Sequence, residues 1–204
     1  MLTKEQLNIL SVFKKDIFTN LTFKQIKQQS GQKSNNIVQI ALKEFQKQDI
    51  VKTKETGDVT TYNLNLNNNL TLSYLNLINE SEINKSKIPK NILYNIQNRI
   101  FKHTEFFILI VFGSYAKNEA TQKSDLDVAV IVESEQTKKE ITPYLETIKR
   151  REVIAIDYHI FTRTEFLDML KADVENVGKQ IFKSGIVYYG YISYCNLVRE
   201  SKNE

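Results

Sequence analysis

Leu7, Ile9, Leu10, Val12 and Phe13 recur at helical spacing near the start of the chain, which predicts a first amphipathic helix. Thr3 is placed to cap it, with Gln6 three positions on. A second short helix is expected to begin at Thr22, again with a glutamine, Gln25, three residues later. Phe23 and Ile26 supply its apolar face, and Gly31 then interrupts the pattern. A third helix is expected from about Ser34 through Ile37, Val38, Ala41, Leu42 and Phe45. The period then changes. Residues 50–54 and 59–64 alternate around Glu55-Thr-Gly-Asp58, the pattern of a hairpin with glycine at its turn.

An asparagine-rich segment, 65–69, follows. Such clusters favour turns, so it reads as a domain boundary. Residues 70–78 are too apolar for a free linker and are expected as a helix packed between domains or at a homodimer contact. Residues 79–87 read as a polar loop. Pro89 suits the first turn of a helix that continues through Ile92, Leu93, Ile96 and Ile100. The unbroken apolar run 106–112 reads as a buried strand, and Val128–Val132 as a second. Residues 151–161 read as a third strand, with one acidic residue near its middle. A helix from Lys138 to Arg150 separates the last two, with Ile141, Leu145 and Ile148 on one side and its Lys and Arg on a solvated face. From Thr164 a further helical face runs through Phe166, Val174, Val177, Ile181 and Phe182 toward Gly185. The aromatic stretch 186–194 is expected to pack against the sheet or a second subunit. Strands alternating with helices predict an α/β (α+β) fold with a short mixed sheet flanked by helices. The expected organisation is an N-terminal domain over 1–66, a connecting helix or linker over 67–89, and a second domain over 90–200.

Composition changes this picture little. Of 204 residues, 41% are hydrophobic and 25% charged, as in ordinary globular proteins. No apolar run approaches the ~20 residues of a membrane span, and the first residues lack the apolar core of a signal peptide. Cys195 is the one cysteine, which excludes an intramolecular disulfide and a cysteine-based metal site. Its aromatic surroundings predict a packed thiol. The expected location is cytoplasmic. Net charge is +4, and its distribution is uneven: residues 1–65 hold ten Lys against six Asp or Glu, while the remainder balances. The excess therefore lies where a nucleic-acid-binding part would carry it.

The candidate chemistry sits between the first two strands of the second domain. Val111-Phe-Gly-Ser-Tyr-Ala-Lys117 runs from strand into turn, and Ser124-Asp-Leu-Asp-Val-Ala-Val130 opens the next strand. Residues two apart in a strand share a face, so Asp125 and Asp127 aim two carboxylates at one spot. Gly113 lets backbone approach a phosphate closely, and Ser114 offers a hydroxyl and an amide donor. Both aspartates precede a buried strand, where a carboxylate without a cation is costly. His159 lies two residues past Asp157 and shares its face. With no second His or Cys nearby, it reads as a structural or edge histidine.

Gly113-Ser114 followed by Ser124-Asp125-Leu126-Asp127 resembles the signature of the DNA polymerase beta-like nucleotidyltransferase superfamily, most closely its minimal nucleotidyltransferase branch. The resemblance spans roughly residues 90–190. It implies a third carboxylate on a later strand, and Asp157 matches that position. By the same resemblance Asp125, Asp127 and Asp157 are the catalytic residues and hold Mg2+ or Mn2+. Gly113, Ser114, Lys117 and Ser124 contact ATP or another nucleoside triphosphate. The branch often carries Arg-Gly shortly after its Gly-Ser, where this chain has Lys117 and Asn118. Lysine is a point charge in place of a fork, and asparagine tolerates left-handed backbone. The implied reaction moves a nucleoside monophosphate to an acceptor hydroxyl. Similar proteins adenylylate a tyrosine of a HEPN-type toxin partner, as antitoxins, and others modify small molecules such as aminoglycosides.

Three helices and a hairpin over the N-terminal part resemble a winged helix-turn-helix domain. The resemblance implies a third helix in the major groove of double-stranded DNA, with Gln32, Lys33, Asn35, Asn36 and Gln39 facing bases and Lys52 and Lys54 on the wing facing phosphate. Winged helices also dock proteins, and both readings stay open. A DNA-binding regulator whose nucleotidyltransferase domain only senses nucleotide is the alternative to an enzyme.

Overall fold

The computed structural model describes residues 1–202. The chain divides into two compact units, one covering Met1–Ile78 and the other beginning at Asn79.

In the first unit, α1 (Lys4–Leu10) starts under the expected capping box: the Thr3 hydroxyl accepts the Gln6 N–H, and the Gln6 side chain accepts the Thr3 N–H. A single 3-10 turn then buries Val12 and Phe13. A two-residue strand, β1 (Leu21–Thr22), leads into α2 (Phe23–Gln29), capped by Thr22 and Gln25 in the same way. α3 (Asn35–Lys47) buries Val38, Ala41, Leu42 and Phe45. β2 (Val51–Thr56) and β3 (Val59–Leu64) form the hairpin, with Gly57 at a φ of +57° in its turn. β1 joins its other edge, giving the order β1-β3-β2. Ile9, Leu10, Phe13, Ile26, Phe45 and Ile50 fill the core.

The asparagine-rich segment is tied down by its own side chains. The Asn65 amide donates to the Asp49 carbonyl and carboxylate, and the Asn68 amide to the Gln48 and Asp49 carbonyls. These bonds fix the hairpin's exit to the end of α3, and α4 (Asn69–Lys85) starts at once. Residues 79–85, expected as loop, are helical. Asn79 and Ile83 sit four apart and are both buried, so a helix is what keeps them on one face. The division between the units falls within α4.

The second unit contains α5 (Lys90–Ile100), β4 (Phe107–Phe112), a single turn α6 (Gly113–Ala116), β5 (Leu126–Val132), α7 (Glu135–Arg151), β6 (Ile156–Thr162), α8 (Arg163–Lys171), α9 (Val177–Ser184), β7 (Ile186–Tyr189) and α10 (Tyr191–Glu200). The sheet order is β6-β5-β4-β7. β4 runs antiparallel to β5 and β7, and β5 runs parallel to β6 through the α7 crossover. The mixed sheet is therefore as expected. Alternate side chains of its strands divide the labour. Leu109, Val111, Leu126, Val128, Val130, Ile156 and Ile160 join a core with α5 and α7. The opposite face carries Phe112, Asp127 and Asp157, and α8, α9 and α10 pack on that side.

Two further expectations change. The helical face read through 164–185 is broken at Ala172–Asn176, because Asn176 turns back to bond the Met169 carbonyl and then caps α9. The aromatic stretch opens as a strand, β7, and continues as α10 after Gly190, whose φ is +80°. Cys195 is buried there, as expected. No helix among the described residues is long and apolar enough to cross a membrane.

Leu109 is fully buried on the strand flanked by β5 and β7. Leu109→Ala is expected to cost about 2–5 kcal/mol, read as a lower urea midpoint for the unfolding of this unit.

Candidate active site

The carboxylates come to one end of the sheet because three strands start or end at one level. Phe112, the last residue of β4, pairs with Asp127, and Asp127 pairs with Asp157 across the parallel β5–β6 ladder. Paired residues point to the same face, so Asp127 and Asp157 stand side by side. Asp157 is the second residue of β6, since residues 151–155 are the end of α7 and its exit. The apolar run 151–161 alone puts it nearer mid-strand. Its position at the strand's mouth is what brings it level with Asp127. Asp125 lies just ahead of β5, near enough for its charge to act on Asp127.

Gly113 closes the site from the β4 side. Its φ is +65°, a conformation that penalises any side chain. A Cβ there would lie 1.9 Å from the Asp127 carboxylate oxygen, so backbone and carboxylate occupy space that no other residue type leaves free. The Ser114 N–H, expected to face a triphosphate, favours the charged form of the Asp127 carboxylate. Asn118 ends the single turn of α6 at a φ of +58°, the left-handed backbone its residue type tolerates. Lys117 is exposed beside it, at the end of the same turn. The Ser124 hydroxyl accepts the Thr121 N–H at 2.9 Å, which braces the loop delivering Asp125.

His159 belongs to this cluster. Its Nε2 lies 3.5 Å from the Asp157 carboxylate. Its ring stacks parallel to Phe161 with centroids 5.9 Å apart and tilts toward Phe112 at the same distance. It pairs with Ala129 on β5, a side chain short enough to leave the ring space. The two-residue spacing from Asp157 was the visible signal; the aromatic sandwich was not.

The electrostatics are those of a crowded anionic site. Burial raises the Asp127 pKa above the ordinary carboxylate range, and the charges of Asp157 and Asp125 raise it further. His159 and the Ser114 N–H pull it down without offsetting the rise. Among the described residues, no three His, Cys, Asp or Glu side chains are gathered into a metal cage. Asp125, Asp127 and Asp157 share one end of the sheet without closing on a common point, as mutually repelling carboxylates do. The donor set still fits a hard divalent cation. Such ions take one or two carboxylates and complete their shell from water and substrate phosphates, and a cation here would relieve the repulsion felt by Asp127.

Residues 94–191 match the protein-family model described as Polymerase beta, Nucleotidyltransferase. The match runs from within α5 to the first residue of α10 and contains the whole four-stranded sheet and all three aspartates. It supports placing this part of the chain in the DNA polymerase beta-like superfamily, as a nucleotidyltransferase domain. No curated protein matches the chain as a relative.

Because the folded state raises the Asp127 pKa, its ionised form opposes folding. The stability tied to its neutral form is complete below the ordinary aspartate value of 3.8 and is lost as pH rises through the higher folded value. Asp127→Asn, which keeps an acceptor for the Ser114 N–H, is expected to melt above wild type at pH 7 in EDTA. Its advantage should shrink as the pH is brought down toward 4, in thermal scans across that range.

Proposed function

We propose that this protein is a divalent-metal-dependent nucleotidyltransferase that moves AMP from ATP to an acceptor hydroxyl. The observation that carries the reading is the alignment of Asp127 with Asp157, beside a backbone position that only glycine fits. Asp125 and Asp127 would hold Mg2+ or Mn2+ with the triphosphate, and Asp157 would complete the site on the acceptor side. Bound metal supplies charge neutralisation for the phosphates and lowers the cost of the attacking oxygen's charge. The acceptor oxygen bonds to the α-phosphorus, the bond to pyrophosphate breaks, and Asp157 takes the hydroxyl proton. Gly113 admits the phosphates to the backbone, and the Ser114 hydroxyl and Lys117 meet them from α6. Ser124 keeps Asp125 on station. The acceptor class favoured by the resemblance is a tyrosine of a HEPN-type partner, which would make the chain an antitoxin; a small-molecule hydroxyl is the other.

The test is transfer of label from α-phosphate-labelled ATP with Mg2+ in lysate of the source organism. Asp127→Asn, Asp157→Asn and Gly113→Ala are each expected to lower transfer on the order of 10²-fold or more. A labelled protein band identifies a protein acceptor, and label in small molecules the other class. If nucleotide binds but none is transferred, and Asp157→Asn changes nothing in the cell, the sensor-regulator reading replaces this one.

For the N-terminal unit we propose a winged helix-turn-helix that binds double-stranded DNA. Lys33, Asn35, Asn36 and Gln39 are exposed along the start of α3, Gln32 is half-buried just ahead of it, and Lys52 and Lys54 are exposed on the hairpin. Asn35 is also bonded to Lys27 at 2.6 Å. Ile37 and Ile40 stand exposed on the same helix, and apolar side chains in that position contact thymine methyl groups. They equally suit a protein partner. Gel shifts on the promoter of the chain's own reading frame should give retardation that weakens steeply with salt, and Lys52→Ala/Lys54→Ala should flatten that dependence. Binding unaffected by both changes would favour the protein partner.

A further inference from the structure

Away from the aspartates, the last turns of two helices converge on one groove of about 420 Å³ between α5 and α7. Arg99 and Lys102 enter it from the end of α5, and Arg151 from the end of α7. Among the described residues none of these three cations makes an ion pair or a side-chain hydrogen bond, although other lysines of the unit find carboxylates, as Lys138 does with Glu165 and Lys183 with Glu175. Glu152 is the one acid lining the groove.

A basic last turn is ordinary on a single helix, where it meets the negative end of the helix dipole. That accounts for Arg99 and Arg151 singly. It does not account for their meeting in one concavity with Lys102, where the one acid, Glu152, pairs with none of the three. Like charges held together in a cleft raise the local potential and concentrate anions. Neutral donors complete the lining: the amides of Asn95 and Asn98 and the hydroxyl of Thr147. Tyr144, exposed at the wall and packed on His103 with ring centroids 4.5 Å apart, adds an aromatic surface. The volume is that of a small-ligand site.

We propose that this groove binds a phosphate-bearing polyanion, either a free nucleoside polyphosphate or the phosphodiester backbone of a nucleic acid. Arginine forks match phosphate oxygens two at a time, and two forks with a lysine in one groove suit several phosphates of one chain. Tyr144 offers a face for a base. The proposal does not depend on the transfer reaction, since no aspartate of the candidate active site lines the groove.

The test is calorimetric titration of the full chain with sodium tripolyphosphate at low salt in EDTA. Without metal the carboxylate site repels this probe, so it reports on basic surfaces alone. The variants are Arg99→Gln/Arg151→Gln, both at exposed positions, and Lys52→Ala/Lys54→Ala as a control for the N-terminal unit. The expected result is binding that falls at least tenfold in the arginine variant and holds in the lysine variant, with circular dichroism unchanged. ATP and a short oligothymidylate, compared in the same way, separate the two sources: whichever loses more affinity in the arginine variant is the occupant. No binding, or binding the arginine variant keeps, overturns the proposal. So does a poly-glutamate peptide that competes as well as tripolyphosphate, because the groove would then recognise negative charge without preference for phosphate.

Discussion

Everything at the candidate site rests on the contact between Gly113 and Asp127. Backbone and carboxylate leave no room there for a methyl group, and the next N–H along the chain favours the charge of that same carboxylate. The contact demands glycine twice, for its positive φ and for its missing side chain. It also sets where β4 must end, because Phe112 is the pairing partner of Asp127. Shifting that register by one residue would send Asp127 into the apolar core and bring a valine or leucine to the surface. The hydrophobic face of β5 and the chemistry of its opposite face therefore enforce each other.

The parallel pairing of β5 with β6 adds the second constraint. It needs a crossover, and α7 supplies it, burying Ile141, Leu145 and Ile148 against the sheet. Exiting α7, the chain reaches β6 just before Asp157, so the helix length decides which residue of β6 stands beside Asp127. The outcome is electrostatically costly: three carboxylates at one end of a sheet, one of them with a raised pKa. A cation at that end of the sheet would relieve this repulsion, as the proposed reaction requires. His159, held between Phe112 and Phe161, tempers the charge without removing it.

The two units divide their chemistry by charge. The first carries the whole net positive excess of the chain on a scaffold whose polar third helix is turned outward. The second balances its charges overall but separates them, with carboxylates at one end of the sheet and unpaired cations in the groove between α5 and α7. Both regions are built from element ends, where side chains are least committed to the core.

Much was legible from residue order alone, for local reasons. Capping boxes at Thr3 and Thr22, the Gly57 hairpin, the apolar strands and the i, i+2 pairing of Asp125 with Asp127 depend only on neighbours a few positions away. So does the bulk of the sheet, because alternating or unbroken apolar runs admit few alternatives. What lay beyond reach involved partners distant in the chain. The asparagines at 65–69 looked like a break, and they proved to be fasteners because Gln48 and Asp49 lie close in space. Residues 79–85 looked like a loop until the burial of Asn79 and Ile83 made them helix. The strand at Ile186–Tyr189 exists because β4 offers it an edge. Arg99 and Arg151 were each an ordinary helix end, and only the packing of α5 on α7 put them in one groove. Sequence determined which residues are candidates for the chemistry and which bury the core; tertiary structure decided their company, since registers and helix contacts are settled by atoms that meet only after the chain has folded.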